Sequence, residues 1–326
     1  MQLPADLRNV LDGLFEQTSM TVLEQAAGRL SSRYRQELRD GTMHLDNKNA
    51  ALGYVAARFP ATFAAVHDAL CRVKEVLPDF CPTSQLDVGA GPATAVLAAH
   101  EVFSSLQAAT LVEQSDAIIE IGKALAASLK AIDIHWQKGD LAACGCDNMA
   151  NGDLVTLSYV LDELADQTQD RLVDSLWQKT GQVLLLVEPG TPAGWRRLLR
   201  QRARLIAQNA DIVAPCPHQK QCPLVLPDWC HFSVRVERSR THRLTKQASV
   251  PYEDEKYSYL ALAKRIKPEQ YYRIIGRPQR SSGKISFSIC CPNGEKNSEN
   301  ITRKSKECYR LLRRAEWGQI LKKAKP

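Results

Sequence analysis

Apolar residues recur at three- and four-residue intervals from the start of the chain to about residue 78, then gather into short runs separated by helical stretches. In DLRNVLDGLFE, Leu7, Val10, Leu11 and Leu14 share one helical face. MTVLEQAAGRLSSRYRQELR continues the period. NAALGYVAARFPATFAAVHDALCRVKEVL predicts two helices divided at Pro60, whose ring removes a donor from the helical ladder. Residues 1–80 are therefore expected to form a helical N-terminal module. From residue 85 the period changes. QLDVGAG is an apolar strand ending in glycines, followed by the helical PATAVLAAHEVF; AATLVEQ is a second strand, followed by SDAIIEIGKALAASLK. IDIHWQKGDL, GDLVTLSYVLDEL, DQTQDRLVDSLWQKT and GQVLLLVEPG extend the alternation. Such an order predicts an α/β fold, a doubly wound, mostly parallel, Rossmann-like sheet covered on both faces. After the helical PAGWRRLLRQRARLIAQNA, three more strands are expected in HFSVRVERSR, YSYLALAKR and KISFSICC. This domain is expected to span 81–300, with a Cys-rich insert at about 210–250 and a basic tail at 301–326.

Composition narrows the class only a little. The chain has 326 residues, 44% hydrophobic and 24% charged, which is ordinary globular usage for one large domain or two smaller ones. No apolar run approaches the roughly 18 residues that span a bilayer, so no membrane partner is expected. MQLPADLRNVLDGLFEQ carries acids early and lacks a basic stretch followed by an apolar core, so a cytoplasmic, reducing compartment is expected. The ten cysteines are then better read as metal or cluster ligands than as disulfides, with isolated thiols such as Cys71 and Cys81 as small buried hydrophobes.

Charge is unevenly placed. Residues 1–195 hold 14 Lys and Arg against 25 Asp and Glu, a net of −11, whereas residues 196–326 hold 29 against 11, a net of +18. A basic half points to a polyanion partner, against the plainer reading of a solvated basic face. Five arginines, Arg196, Arg197, Arg200, Arg202 and Arg204, crowd one predicted helix.

LDVGAGPATA puts Asp87, Gly89 and Gly91 at the end of the first strand of the sheet, where glycines let the backbone turn tightly and approach a ligand. Glu113 ends the next strand, where a carboxylate can accept from both ribose hydroxyls, and Asp140 follows the third, within reach of an adenine edge. An acid ahead of the glycines repels a pyrophosphate but suits a cationic sulfonium. The arrangement resembles class I S-adenosylmethionine-dependent methyltransferases and favours that cofactor over a dinucleotide; a degenerate sheet with an empty site is the plainer alternative. The fourth strand runs into LSYVLDELAD rather than a base-holding or nucleophilic motif. Tyr159, Asp162 and Glu163 are expected near the cofactor, but no catalytic residue is assigned.

Three thiols remain, Cys216, Cys222 and Cys230, spaced Cys-x5-Cys-x7-Cys in a Pro-rich run, with a fourth available from Cys290 or Cys291 in SFSICCPNG. Four thiolates suit a tetrahedral zinc or an iron–sulfur cluster. The long, unequal loops fit a zinc knuckle poorly. Strand alternation puts Cys291 on the apolar side with Ile285, Phe287 and Ile289, and Cys290 on the other, which favours Cys290.

Together, APCPHQKQCPLVLPDWC, ICCPNG, YRLLRRAEWGQIL, LDVGAGPATA, LSYVLDEL and LVEPGTPAGW resemble the small-ribosomal-subunit methyltransferase-like family over roughly residues 80–326. The resemblance implies a class I methyltransferase fold carrying a 4Fe–4S cluster on Cys216, Cys222, Cys230 and Cys290. It further implies an assembly factor that binds the small ribosomal subunit and its ribosomal RNA, monomeric when free. An active RNA methyltransferase that holds S-adenosylmethionine through Asp87, Gly89, Gly91, Glu113 and Asp140 is the first alternative. A zinc-stapled RNA-binding protein is the second.

Overall fold

A computed structural model describes residues 1–36, 47–140 and 149–322. Helices α1 (Ala5–Glu16), α2 (Met20–Gln36) and α3 (Lys48–Val76) come first. Then β1 (Ser84–Val88), α4 (Thr94–Val102), β2 (Ala108–Glu113), α5 (Asp116–Ala126), β3 (Asp133–Lys138), β4 (Gly152–Ser158), α6 (Asp166–Lys179) and β5 (Thr180–Pro189) alternate as expected. The chain continues through α7 (Pro192–Ala207), β6 (Asp211–Ala214), β7 (Phe232–Glu237), α8 (Arg240–Thr245) and β8 (Tyr252–Ala263). It ends with β9 (Tyr272–Ile274), β10 (Gln279–Ser281), β11 (Lys284–Cys290), β12 (Lys296–Thr302), α9 (Lys306–Leu312) and β13 (Ile320–Leu321).

These elements form two compact units that interleave along the chain: 1–70, 81–187 and 234–255 make the first, and 71–80, 188–233 and 256–326 the second. In the first unit the strand order is β3-β2-β1-β4-β5, every pair parallel. Leu86, Val88, Leu111, Val155 and Leu184 are fully buried, as strands covered on both faces require. In the second unit β6 runs antiparallel to β8, pairing Asp211 with Ala263 and Ile212 with Leu262. A parallel 3-2-1-4-5 order with an antiparallel pair after it is the class I methyltransferase-like arrangement, with parallel and antiparallel strands mixed.

One sequence expectation changes. Residues 48–76 form one helix with Pro60 inside it, not two helices. Phe59, Ala61 and Phe63 around the proline are fully buried, and the Thr62 hydroxyl donates to the Arg58 and Phe59 carbonyls, so packing outweighs the lost donor. In the basic stretch after residue 301, α9 and β13 belong to the second unit. In the second unit β11 pairs with β12, β10 and β9, and β9 with β13, closing a five-stranded sheet over Ile274, Ile285, Phe287, Ile289, Cys291, Ile301 and Ala315. Among the described residues no helix is long and apolar enough to cross a membrane.

Candidate cofactor cleft and thiol site

Within the first unit, β1 delivers Asp87 to the start of the glycine turn. Gly89 and Gly91 both have left-handed backbone, φ 68° and 52°, which an L side chain resists. The amides of Gly89 and Ala90 donate to the Val112 carbonyl, tying the turn to β2. Glu113, at the end of β2, accepts from the Gly91 amide at 2.9 Å with one oxygen and from the Gln114 and Ser115 amides with the other. Its carboxylate therefore organises the turn. Asp140 is exposed, next to residues outside those described.

Asp87 is 1% exposed. Its Oδ1 accepts from the Thr156 hydroxyl at 2.6 Å, and Thr156 accepts in turn from Gln85 Nε2 at 2.9 Å. Its Oδ2 is buried with no hydrogen-bond partner among the described residues. Burial, with a smaller push from Glu113 and against the Thr156 hydrogen bond, raises its pKa to about 7. An unpaired buried carboxylate oxygen at a glycine turn fits a ligand's positive charge.

Sequence reasoning missed the roof of this cleft. Tyr54 and Thr62 from α3 line it together with Asp87, Gly89, Gly91, Ser158 and Tyr159, and they leave about 20 Å³ between them. Tyr159, directly after β4, adopts φ 59°, a conformation that costs a non-glycine residue about 1–2 kcal/mol. Its hydroxyl lies 3.2 Å from a Glu255 oxygen, which also pairs with Arg58 of α3 at 3.1 Å. Burial pushes the Tyr54 hydroxyl up to about 12, and burial with Glu255 raises Tyr159 well above its ordinary value. Both phenols are neutral near pH 7 and unsuited as general bases. Asp162 and Glu163 lie in a 3-10 turn at Leu161–Glu163, with Glu163 exposed.

The second unit holds the cysteines. Cys216, Cys222 and Cys230 lie between β6 and β7, and Cys290 ends β11. The loop is held largely through its backbone carbonyls. Arg273, fully buried, donates to the Pro215 and Gly318 carbonyls at 3.2 and 2.6 Å. The Tyr271 hydroxyl lies within hydrogen-bond distance of the Val213, Pro215 and Cys216 carbonyls. Arg202, 5% exposed, donates to the carbonyls of His218 and Lys220 at 2.8 and 2.7 Å.

The thiols are near enough to repel one another when charged. Burial, then Cys216, Cys222 and Cys290, holds Cys230 well above its ordinary pKa; burial, then Cys216 and Cys222, raises Cys290; burial raises Cys222, with Cys216 adding to it. Such thiols stay protonated unless a cation takes their charge. Strand alternation holds: Cys291 joins the apolar cluster and Cys290 faces the other thiols. His218, which sequence reasoning passed over, brings Nε2 to 3.4 Å from Cys290 Sγ, and burial lowers its pKa. Among the described residues no three Cys, His, Asp or Glu side chains converge on a single-ion site. Cys71 is half-buried and Cys81 exposed, so neither is the buried hydrophobe expected.

The arginines of α7 are not the uniform basic face that their spacing suggests. Arg202 is spent on the thiol loop, and Arg197 pairs with the buried Glu188 at 2.7 Å; Arg196 is exposed. Exposed cations gather instead around α9, at Arg303, Lys304, Lys306, Arg310, Arg313 and Arg314.

A family model described as mitochondrial small ribosomal subunit Rsm22 matches residues 48–322. The human ribosome assembly protein METTL17, mitochondrial, is 28% identical over 92% of this chain and 69% of its own length. The Schizosaccharomyces pombe Rsm22-cox11 tandem protein 2, mitochondrial, is 26% identical over 82% of this chain and 42% of its own. Among solved structures, a magnesium protoporphyrin IX methyltransferase from Synechocystis with bound S-adenosylmethionine has TM-score 0.41 and 10% identity over 80% of this chain and 98% of that one. So shallow a likeness adds nothing to the strand order. The relatives do correct one expectation: they are mitochondrial proteins, which points to a mitochondrial and not a cytoplasmic setting.

Proposed function

The chain belongs to the mitochondrial small ribosomal subunit Rsm22 family, and from that premise we propose that it is a small-subunit assembly factor. In this reading it docks on ribosomal RNA with its basic second unit and carries a 4Fe–4S cluster on Cys216, Cys222, Cys230 and Cys290. The observation that sets methyl transfer second is the cleft: the glycine turn is intact, but among the described residues Tyr54, Thr62 and Tyr159 leave about 20 Å³ beside it. The four thiols suit a cluster because they stand near one another: Cys216 and Cys222 both act on Cys230 and on Cys290. Once bound, the cluster would supply cross-linking of the insert to β11, with no electron transfer required. The chain's own work is done by Arg273 and Tyr271, which fix carbonyls just before Cys216, and by Arg202, which fixes those of His218 and Lys220 between Cys216 and Cys222.

A second reading is favoured by one observation, the unpaired Oδ2 of Asp87. It suits a cationic methyl donor held by Asp87, Gly89, Gly91, Glu113 and Asp140. Small-subunit RNA from a deletion strain separates the two. Unchanged RNA methylation with immature subunits accumulating supports the assembly factor. Methylation lost on deletion, and also lost in a Gly91→Val strain, supports the enzyme.

A further inference from the structure

His218 differs from every other group around the thiols. It follows Cys216 by two residues and is 7% exposed, so the ring is shut away from water. Nε2 lies 3.4 Å from Cys290 Sγ, and the Lys220 backbone is a further polar neighbour of the ring. The ring does not hold itself there. Its own carbonyl and that of Lys220 are gripped by Arg202, which is buried against the same loop. A buried imidazole is costly unless its ring nitrogens find partners, and the nearest side-chain partner here is the Cys290 sulfur. A neutral thiol offers a weak acceptor; a thiolate offers a strong one. Cys290 is the buried member of the four thiols, so a donor from the protein matters most to its sulfur.

We propose that His218 is a positioning residue for the thiol centre, its Nε2–H donating to the Cys290 sulfur and holding it in the orientation that a metal requires. The inference rests on the reading that these four thiols carry a metal centre, and it adds a residue with a defined role. A hydrogen bond to a metal-bound sulfur withdraws electron density, which raises the reduction potential of a cluster and slows its loss. His218 itself stays off the metal, since its nitrogen is already committed to the sulfur.

The test uses the full chain purified without oxygen, as wild type and as His218→Phe, His218→Gln and Cys290→Ser. Phenylalanine keeps the ring volume and removes the donor. Glutamine returns an N–H close to the Nε2 position. Far-UV circular dichroism checks that each variant folds. Iron and zinc per chain, the cluster midpoint potential and the rate of metal loss to a chelator are then measured. His218→Phe is expected to retain metal on isolation, to bind it about 10–100-fold more weakly in chelator competition, and to show a more negative midpoint. His218→Gln should recover most of both. If the wild type contains zinc, chelator competition alone carries the comparison. A metal-loaded wild type with an unchanged His218→Phe affinity and potential overturns the role of His218 while leaving the centre intact. Cys290→Ser that keeps full metal, with His218→Phe losing all of it, makes His218 a ligand and overturns the proposal. Wild-type protein holding neither iron nor zinc removes the centre and this role together.

Discussion

Replacing Asp87 with asparagine should stabilise the protein at pH 8 and do much less at pH 5. The sign follows from the two states. In the unfolded chain the carboxyl ionises near 3.8; in the folded chain, where burial opposes ionisation, it does so at about 7. Below pH 3.8 both states keep the proton and nothing is lost. Between the two values the unfolded chain has released a proton that the folded chain retains, so stability falls as pH rises. Above pH 7 the loss is complete. A shift of about three pH units at about 1.4 kcal/mol each makes it roughly 4 kcal/mol. The substitution removes that penalty but weakens the bond from Thr156 and puts an N–H where Oδ2 has no partner, a cost of about 1–3 kcal/mol that does not vary with pH. The net gain at pH 8 is therefore about 1–3 kcal/mol. The cleaner quantity is the difference in that gain between pH 5 and pH 8, about 2–3 kcal/mol, which is independent of the constant offset. Urea unfolding of both proteins across this range reads it directly. An Asp87→Asn effect that is flat with pH would refute the buried, proton-holding carboxylate. A fold that keeps so unfavourable a group at a glycine turn sacrifices stability for a site.

Three other outcomes follow from the same geometry. Glu255→Gln should weaken the hold of Arg58 and Tyr159 on the cleft roof, so S-adenosylmethionine affinity by calorimetry should rise several-fold; unchanged affinity would mean that α3 does not restrict entry. Arg202→Met should leave the His218 and Lys220 carbonyls without a charged donor, at about 2–4 kcal/mol. Hydrogen exchange should quicken at residues 216–222 and stay unchanged in β1–β5. Neutralising Arg310, Arg313 and Arg314 together should lower the slope of log affinity for small-subunit RNA against log salt by about 2–3, at roughly 0.7–0.9 per phosphate contact. The same slope with all three gone would move the interface elsewhere.

Much of the first unit was legible because its elements are apolar and regular. QLDVGAG and AATLVEQ read as strands, and they pair in parallel at the predicted glycine turn. The parity of KISFSICC separated Cys290 from Cys291, since alternate residues on a strand must face opposite ways. The second sheet was less legible. β10 and β12, QRS and KNSENIT, carry almost no apolar pattern, and what makes them strands is pairing with β11. Pro60 misled for a related reason, because local propensity says nothing of the packing that surrounds α3. The arginines of α7 looked alike along the chain. Only tertiary structure reveals that Arg202 turns inward to carbonyls sixteen and eighteen residues away while Arg196 faces solvent. The roof of the cleft comes from a helix that precedes the glycine motif by some thirty residues, a juxtaposition no spacing rule encodes.

The thiol centre is the claim with most depending on it, and elemental analysis of freshly prepared, oxygen-protected protein tests it most directly. Iron and acid-labile sulfide in near-equal amounts, about four of each per chain, with both lost in Cys222→Ser, is the predicted result. Protein that contains neither iron nor zinc, or a Cys222→Ser variant that keeps its full metal content, would contradict it.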